Sequence, residues 1–97
     1  MYGIIGQIKA TEGNRRALID ILLKGIQDMP GCKLYTIAED TADESAIWIT
    51  EIWESEAAHQ ASLQLPEVQQ AITAGRPLMA GFGARHIVNP VGGIGLE

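Results

Sequence analysis

The sequence predicts an α+β fold of the ferredoxin-like split βαβ kind, in the order β-α-β-β-α-α-β, with a four-stranded antiparallel sheet and helices on one face. Three observations lead there. Apolar residues recur at helical spacing from Leu18 to Met29. Two alternating segments, residues 32–38 and 46–53, flank a short acidic turn and read as a hairpin. Strand-like segments rich in isoleucine and valine open and close the chain, so the hairpin and helices are framed by two more strands.

Each element has its own signal. Residues 2–9 carry isoleucines at 4, 5 and 8 with Gly3 and Gly6 between, apolar on both faces as in a buried strand. Thr11 is the expected N-cap of a helix over residues 11–28. Its apolar stripe is Leu18, Ile19, Leu22, Leu23, Ile26 and Met29, and Arg16, Asp20 and Lys24 form a ladder of alternating charge opposite. Met29-Pro30-Gly31 breaks it. Residues 46–53 are rich in β-branched and aromatic side chains, as strands are. Ser55 is the next N-cap, with Glu56 at the positive end of the helix dipole. Ala57, Ala58, Ala61 and Leu65 share one face of this short helix. Pro66 suits the first position of a third helix, lined on one side by Val68, Ala71, Ile72 and Gly75. Arg76-Pro77 ends it. Residues 82–88 read as the last strand and 89–97 as an irregular tail.

The 97 residues are expected to form one domain, residues 1–97. A chain this short buries only roughly 60–68% of its unfolded surface. Its strands also carry apolar groups on both faces, and the helices cover only one. A homodimer that pairs two sheets would cover the other.

Composition narrows the partners. The net charge is −5, and the seven Lys and Arg are scattered. A nucleic-acid backbone or an anionic membrane surface calls for a basic patch, so neither is an expected partner. Cys32 is the single cysteine and has no internal disulfide partner. No leader pattern is visible, which points to the cytoplasm. The two histidines lack zinc-site spacing, so no metal and no cofactor is expected. Gly92-Gly93-x-Gly95 follows the last strand and opens no helix, unlike a phosphate loop.

The stretch from Trp48 to His59 holds the chemistry. Trp53 shares a strand face with Ile47, Ile49 and Glu51. It either walls a flat ligand or closes the core. Trp48 lies on the other face, as core or dimer interface. His59 lies opposite the alanine face of the short helix, where an imidazole near neutral pH can take a proton. Otherwise it is a surface or interface histidine. Glu51 on an apolar face needs a partner or a raised pKa. It orients a histidine, acts as a base, or pairs with Arg85 or Arg15. Tyr35, Met79, Phe82 and His86 are further pocket candidates.

Three motifs in this order resemble the antibiotic biosynthesis monooxygenase (ABM) domain family: Gly31-Cys-Lys-Leu-Tyr35, Glu51-Ile-Trp53-Glu-Ser-Glu-Ala-Ala-His59 and Arg76-Pro77-Leu78. The resemblance spans nearly the whole chain. It implies a dimeric α+β barrel of ferredoxin-like subunits. It also implies oxidation of a small electron-rich aromatic, quinol- or anthrone-like, by molecular oxygen without flavin or metal. Trp53 and His59 would then be catalytic, and Glu51, Tyr35, Met79, Phe82 and His86 substrate-binding. A dimeric binding module without chemistry needs the same pocket. A haem-degrading branch of the family is a third reading. It pairs a strand-one asparagine and a pocket tryptophan with a later helix histidine, whereas this chain has Gln7 and no histidine between residues 66 and 75.

Overall fold

The computed structural model describes residues 1–96; Glu97, the last residue of the expected tail, lies outside the described residues. The elements are β1 (Tyr2–Ala10), α1 (Arg15–Gly25), β2 (Cys32–Glu39), β3 (Ala46–Trp53), α2 (Glu56–Ser62), α3 (Pro66–Gly75), a single 3₁₀ turn (Arg76–Leu78) and β4 (Met79–Val88). The strands pair antiparallel in the order β2-β3-β1-β4. This is the ferredoxin-like arrangement that the sequence predicts.

Register decides which side chains meet the helices, because residues opposite each other across a ladder share a face. β1 and β3 pair Ile4 with Glu51, Gly6 with Ile49 and Ile8 with Ile47. β2 adds Tyr35 opposite Glu51 and Ile37 opposite Ile49. The core forms on this face, where Ala10, Ile47 and Ile49 pack with Leu18 and Ile19 of α1. On the other face Ile5, Trp48, Thr50 and Ile52 are only half-buried.

Three boundaries differ from the sequence expectation. α1 starts at Arg15 with Asn14, not Thr11, in the cap position. Gly13 takes a left-handed conformation (φ 76°) and turns the chain first, while the Thr11 hydroxyl accepts from the Asn14 amide at 2.8 Å. The helix ends at Gly25, and Asp28 (φ 51°) turns the chain before Pro30. β4 begins at Met79 rather than residue 82, because pairing with Lys9 and Ala10 carries the strand through Gly81. Register shifts on either side absorb the glycine that reads as punctuation in isolation.

α2 holds its expected cap: the Ser55 hydroxyl accepts from the Ala58 amide at 3.1 Å. Its alanine face turns outward, with Ala57 and Ala61 exposed, and it buries His59 and Ser62. The turn before β2 lets α2 approach. Gly31 adopts φ 80°, and a Cβ there would come within 2.7 Å of the Ala58 methyl.

α1 and α3 touch through their smallest residues. A Cβ on Gly25 would lie 2.5 Å from the Cβ of Ala71 and 3.3 Å from the Glu67 carbonyl oxygen. Real methyl groups do not approach so closely, so Gly25→Ala forces the helices apart. We expect it to cost about 1–3 kcal/mol, the usual range for overpacking, and to lower the thermal midpoint by several degrees. Adding Ala71→Gly should recover part of the loss in a double-mutant cycle, which differential scanning calorimetry measures.

Candidate active site

Between the helix-facing side of the sheet and the three helices lies a cavity of about 640 Å³. Ile8 and Ile49 form its floor, Leu22 and Ile26 come from the α1 side, and Val68 and Ile72 come from α3. The apolar stripes predicted for the two helices therefore line a space rather than closing it. Polar side chains enter this wall as Tyr35, Glu51, Trp53, His59, Ser62 and Arg76.

The centre of that group is built by strand alternation. Glu51 and Trp53 are two apart on β3 and share its inner face. Trp53 is fully buried, and its indole Nε1 donates to Glu51 Oε1 at 3.0 Å. His59 is 9% exposed. Its ring meets Trp53 edge-on at 5.5 Å between centroids and Tyr2 at a tilt at 5.8 Å. Its Nε2 stands 3.8 Å from Glu51 Oε1, beyond hydrogen-bond range but well within electrostatic reach. Nδ1 of the same ring is buried with no hydrogen-bond partner. The Ser62 hydroxyl, one turn on, donates to the His59 carbonyl at 2.6 Å.

The electrostatics follow from burial. Loss of water pushes the Glu51 carboxyl above its ordinary value; the Trp53 N–H and the nearby His59 and Arg85 oppose the rise. Burial likewise raises the Tyr35 phenol, and the charges of Glu51 and Cys32 push it further the same way. Tyr35 is therefore a neutral donor across the working pH range.

Most predicted site residues converge here. Trp53, His59, Glu51, Tyr35, Met79 and Phe82 all line the cavity, with Phe82 77% exposed. His86 does not. It pairs with Ile5 and lies exposed on the opposite face of the sheet. A register shift in β4 explains this: Phe82 pairs with Ile8 but Arg85 with Gly6, so one extra residue resets the alternation. Counting by twos from Phe82 puts His86 on the helix-facing side; the structure turns Arg85 and Ile87 to that side instead, both exposed and neither lining the cavity.

Arg15 is not a partner of Glu51 either. Its guanidinium donates to the carbonyls of Asp40 (3.0 Å), Asp43 (2.9 Å) and Ala46 (3.3 Å), and it pairs with Glu39 at 3.3 Å. It thus pins the acidic β2–β3 turn to α1. Trp48 lies on the outer face as expected and donates to Asp40 Oδ2 at 2.8 Å. Ser62 and Arg76 are cavity residues that the sequence reading does not assign to the site. The spacing His59-x-x-Ser62 on one helix face is the signal that points to Ser62.

Among the described residues no group of three or more His, Cys, Asp or Glu is placed to hold a metal ion. No helix of the described residues is long and apolar enough to cross a membrane.

The family model described as antibiotic biosynthesis monooxygenase matches residues 1–74. The chain belongs to the ABM family. A crystal structure from Chloroflexus aurantiacus J-10-fl, named for the same family, is similar to this ABM chain at 53% identity. The match covers 99% of this chain and 98% of that one, with a TM-score of 0.96. A second named for the family, from Deinococcus radiodurans, is 26% identical over 97% of this chain and 96% of its own, with a TM-score of 0.78. A chain from Mycobacterium tuberculosis shares the fold at 20% identity and TM-score 0.78, covering 96% of this chain and 97% of its own. No curated protein gives a significant match.

The raised Glu51 carboxyl makes stability depend on pH in a definite sense. The folded protein holds this proton more tightly than the unfolded chain, so stability falls as pH rises above the ordinary value of 4.5. Glu51→Gln removes the charge and keeps an oxygen for the Trp53 N–H. We expect the variant to melt above wild type at pH 7.5 and level with it at pH 4. Melting curves at the two pH values check this.

Proposed function

We propose that this ABM protein is a cofactor-independent monooxygenase that oxidises a small electron-rich aromatic, quinol- or anthrone-like, with molecular oxygen. The observation that carries the reading is the buried, unpartnered Nδ1 of His59 beside Glu51 and Trp53, in the wall of a largely apolar cavity. A buried nitrogen without a partner costs free energy that a ligand proton donor can offset. The cavity has the size and lining of a small-molecule site, and the names of the family and its similar structures fit the reaction class.

The chemistry follows from these groups. The negative charge of Glu51 favours the tautomer with its proton on Nε2, which leaves Nδ1 as the base. Nδ1 takes a proton from the substrate, and the resulting anion passes one electron to oxygen. The two radicals couple to a carbon-bound peroxide. Proton return and loss of water then convert a ring CH₂ to a carbonyl, with the second oxygen atom leaving as that water. Trp53, fully buried, backs Glu51 and His59 from behind the wall, and Met79 and Phe82 flank the ring from β4. The apolar surroundings exclude water from the anion.

His59→Ala should lower kcat by about 10²–10⁴-fold, the typical worth of a positioned base, with a smaller change in KM. Oxygen uptake by chelator-treated protein on a panel of hydroquinones and anthrones, beside Trp53→Phe, measures it. An unchanged rate in His59→Ala removes the imidazole from the mechanism. No uptake across the panel leaves the cavity as a binding site without chemistry.

The same reading includes a homodimer. Ile87 and Val88 of β4 are half exposed or nearly so, and Val91 and Ile94 beyond it are 92% and 100% exposed. A second copy seated on this edge and on the outer sheet face would cover them. Sedimentation equilibrium should give twice the 10.4 kDa chain mass. A stable monomer at micromolar concentration rules the dimer out.

A further inference from the structure

We propose that Tyr35 donates the hydrogen bond that holds the substrate oxygen on which negative charge develops; the role rests on the oxygenase reading above. Most hydrogen-bond donors in the cavity wall are already engaged. Apart from Arg76, side-chain N–H and O–H groups enter it from Tyr35, Trp53, His59 and Ser62. The Trp53 N–H is committed to Glu51, and the Ser62 hydroxyl to the His59 carbonyl. His59 presents one nitrogen toward Glu51 and leaves the other as an acceptor. Glu51 also accepts. The wall therefore has the means to take a proton, but a single uncommitted neutral donor to meet the charge left behind.

That donor is the Tyr35 hydroxyl, which makes no hydrogen bond among the described residues. β2 places Tyr35 directly opposite Glu51, on the cavity face. Base, carboxylate and phenol thus lie side by side along one wall although they come from α2, β3 and β2. Burial and the neighbouring Glu51 charge keep the phenol protonated. A fixed donor in a dry site stabilises a developing oxyanion more than it stabilises the neutral ground state. When the substrate O–H or C–H bond breaks, its proton forms an N–H bond at His59. The charge that spreads to the substrate oxygen then lies between the Tyr35 hydroxyl and the new imidazolium.

The substrate class narrows accordingly. It is an aryl ketone or phenol whose oxygen is conjugated to the site of proton loss, so that one oxygen collects the charge. A hydrocarbon ring, or an ether in place of that oxygen, offers Tyr35 nothing to hold in the anion.

Redox-quiet 2-naphthols of graded acidity test this by binding, without turnover. Affinities are measured by tryptophan fluorescence for wild type and Tyr35→Phe. Wild-type affinity should climb with naphthol acidity. In Tyr35→Phe the series should flatten, with about a tenfold loss for the most acidic member, equivalent to about 1.4 kcal/mol. The variant should melt at or above the wild-type temperature, because the missing hydroxyl has no protein partner to lose. An undiminished slope in Tyr35→Phe, a flat wild-type series, or no naphthol binding at all would overturn the assignment. A slope that depends on Tyr35 without oxygen uptake on any substrate would keep Tyr35 as the anion's donor and discard the oxygenase reading.

Discussion

A carboxylate on the buried face of a strand is the constraint around which this structure is arranged. Glu51 sits where Ile47 and Ile49 place apolar groups. A charge there must be paired, hydrogen-bonded or neutralised. Trp53 supplies the hydrogen bond from the same strand face, His59 a partial countercharge from α2, and burial shifts the carboxyl toward its neutral form. Each response fixes another element. The indole is locked in the core, α2 turns its imidazole inward rather than its alanines, and Tyr35 across the ladder is held as a phenol. A hydrophobic residue at position 51 would remove the partner of the first two, while burial would still hold Tyr35 as a phenol.

Much of this is legible in the sequence because it is local. The hairpin, the Ser55 cap and the proline opening α3 each depend on residues within one turn or one strand pair. Glu51, Trp53 and His59 lie within nine residues, and simple alternation puts the first two on one face. The features that escape a sequence reading depend on distant neighbours. The partners of Arg15 are carbonyls of a turn some 25–31 residues away, and carbonyls carry no sequence signature. The early start of β4 depends on what β1 offers it. The inward face of α2 is chosen by Glu51 rather than by its own composition, since alanines satisfy either orientation.

The cavity exists because apolar stripes are held at a distance set elsewhere. Gly25 against Ala71, and Gly75 against Leu18 and Ile21, bring α1 and α3 into contact, while Leu22, Ile26, Val68 and Ile72 face open space. A helix pair that packed along its whole length would fill that space and gain stability. Leaving it open is the kind of local cost that functional sites carry. The Arg15 clamp on the β2–β3 turn and the Gly31 approach to α2 hold the surrounding frame while the middle stays unfilled.

The extra residue in β4 has an evolutionary side. Strand faces are assigned by parity, so a bulge works as a one-residue frame change in space. Two residues, Gly83 and Ala84, span the single Gln7 between the Phe82–Ile8 and Arg85–Gly6 pairs. Deleting either one would keep both flanking pairs and remove only the bulge, so Arg85 would stay on its present face. In a relative without that residue, Phe82 and Arg85 would fall two apart and follow an unbroken alternation. A one-residue gap at this point of an alignment would therefore mark a lost bulge, not a change of face.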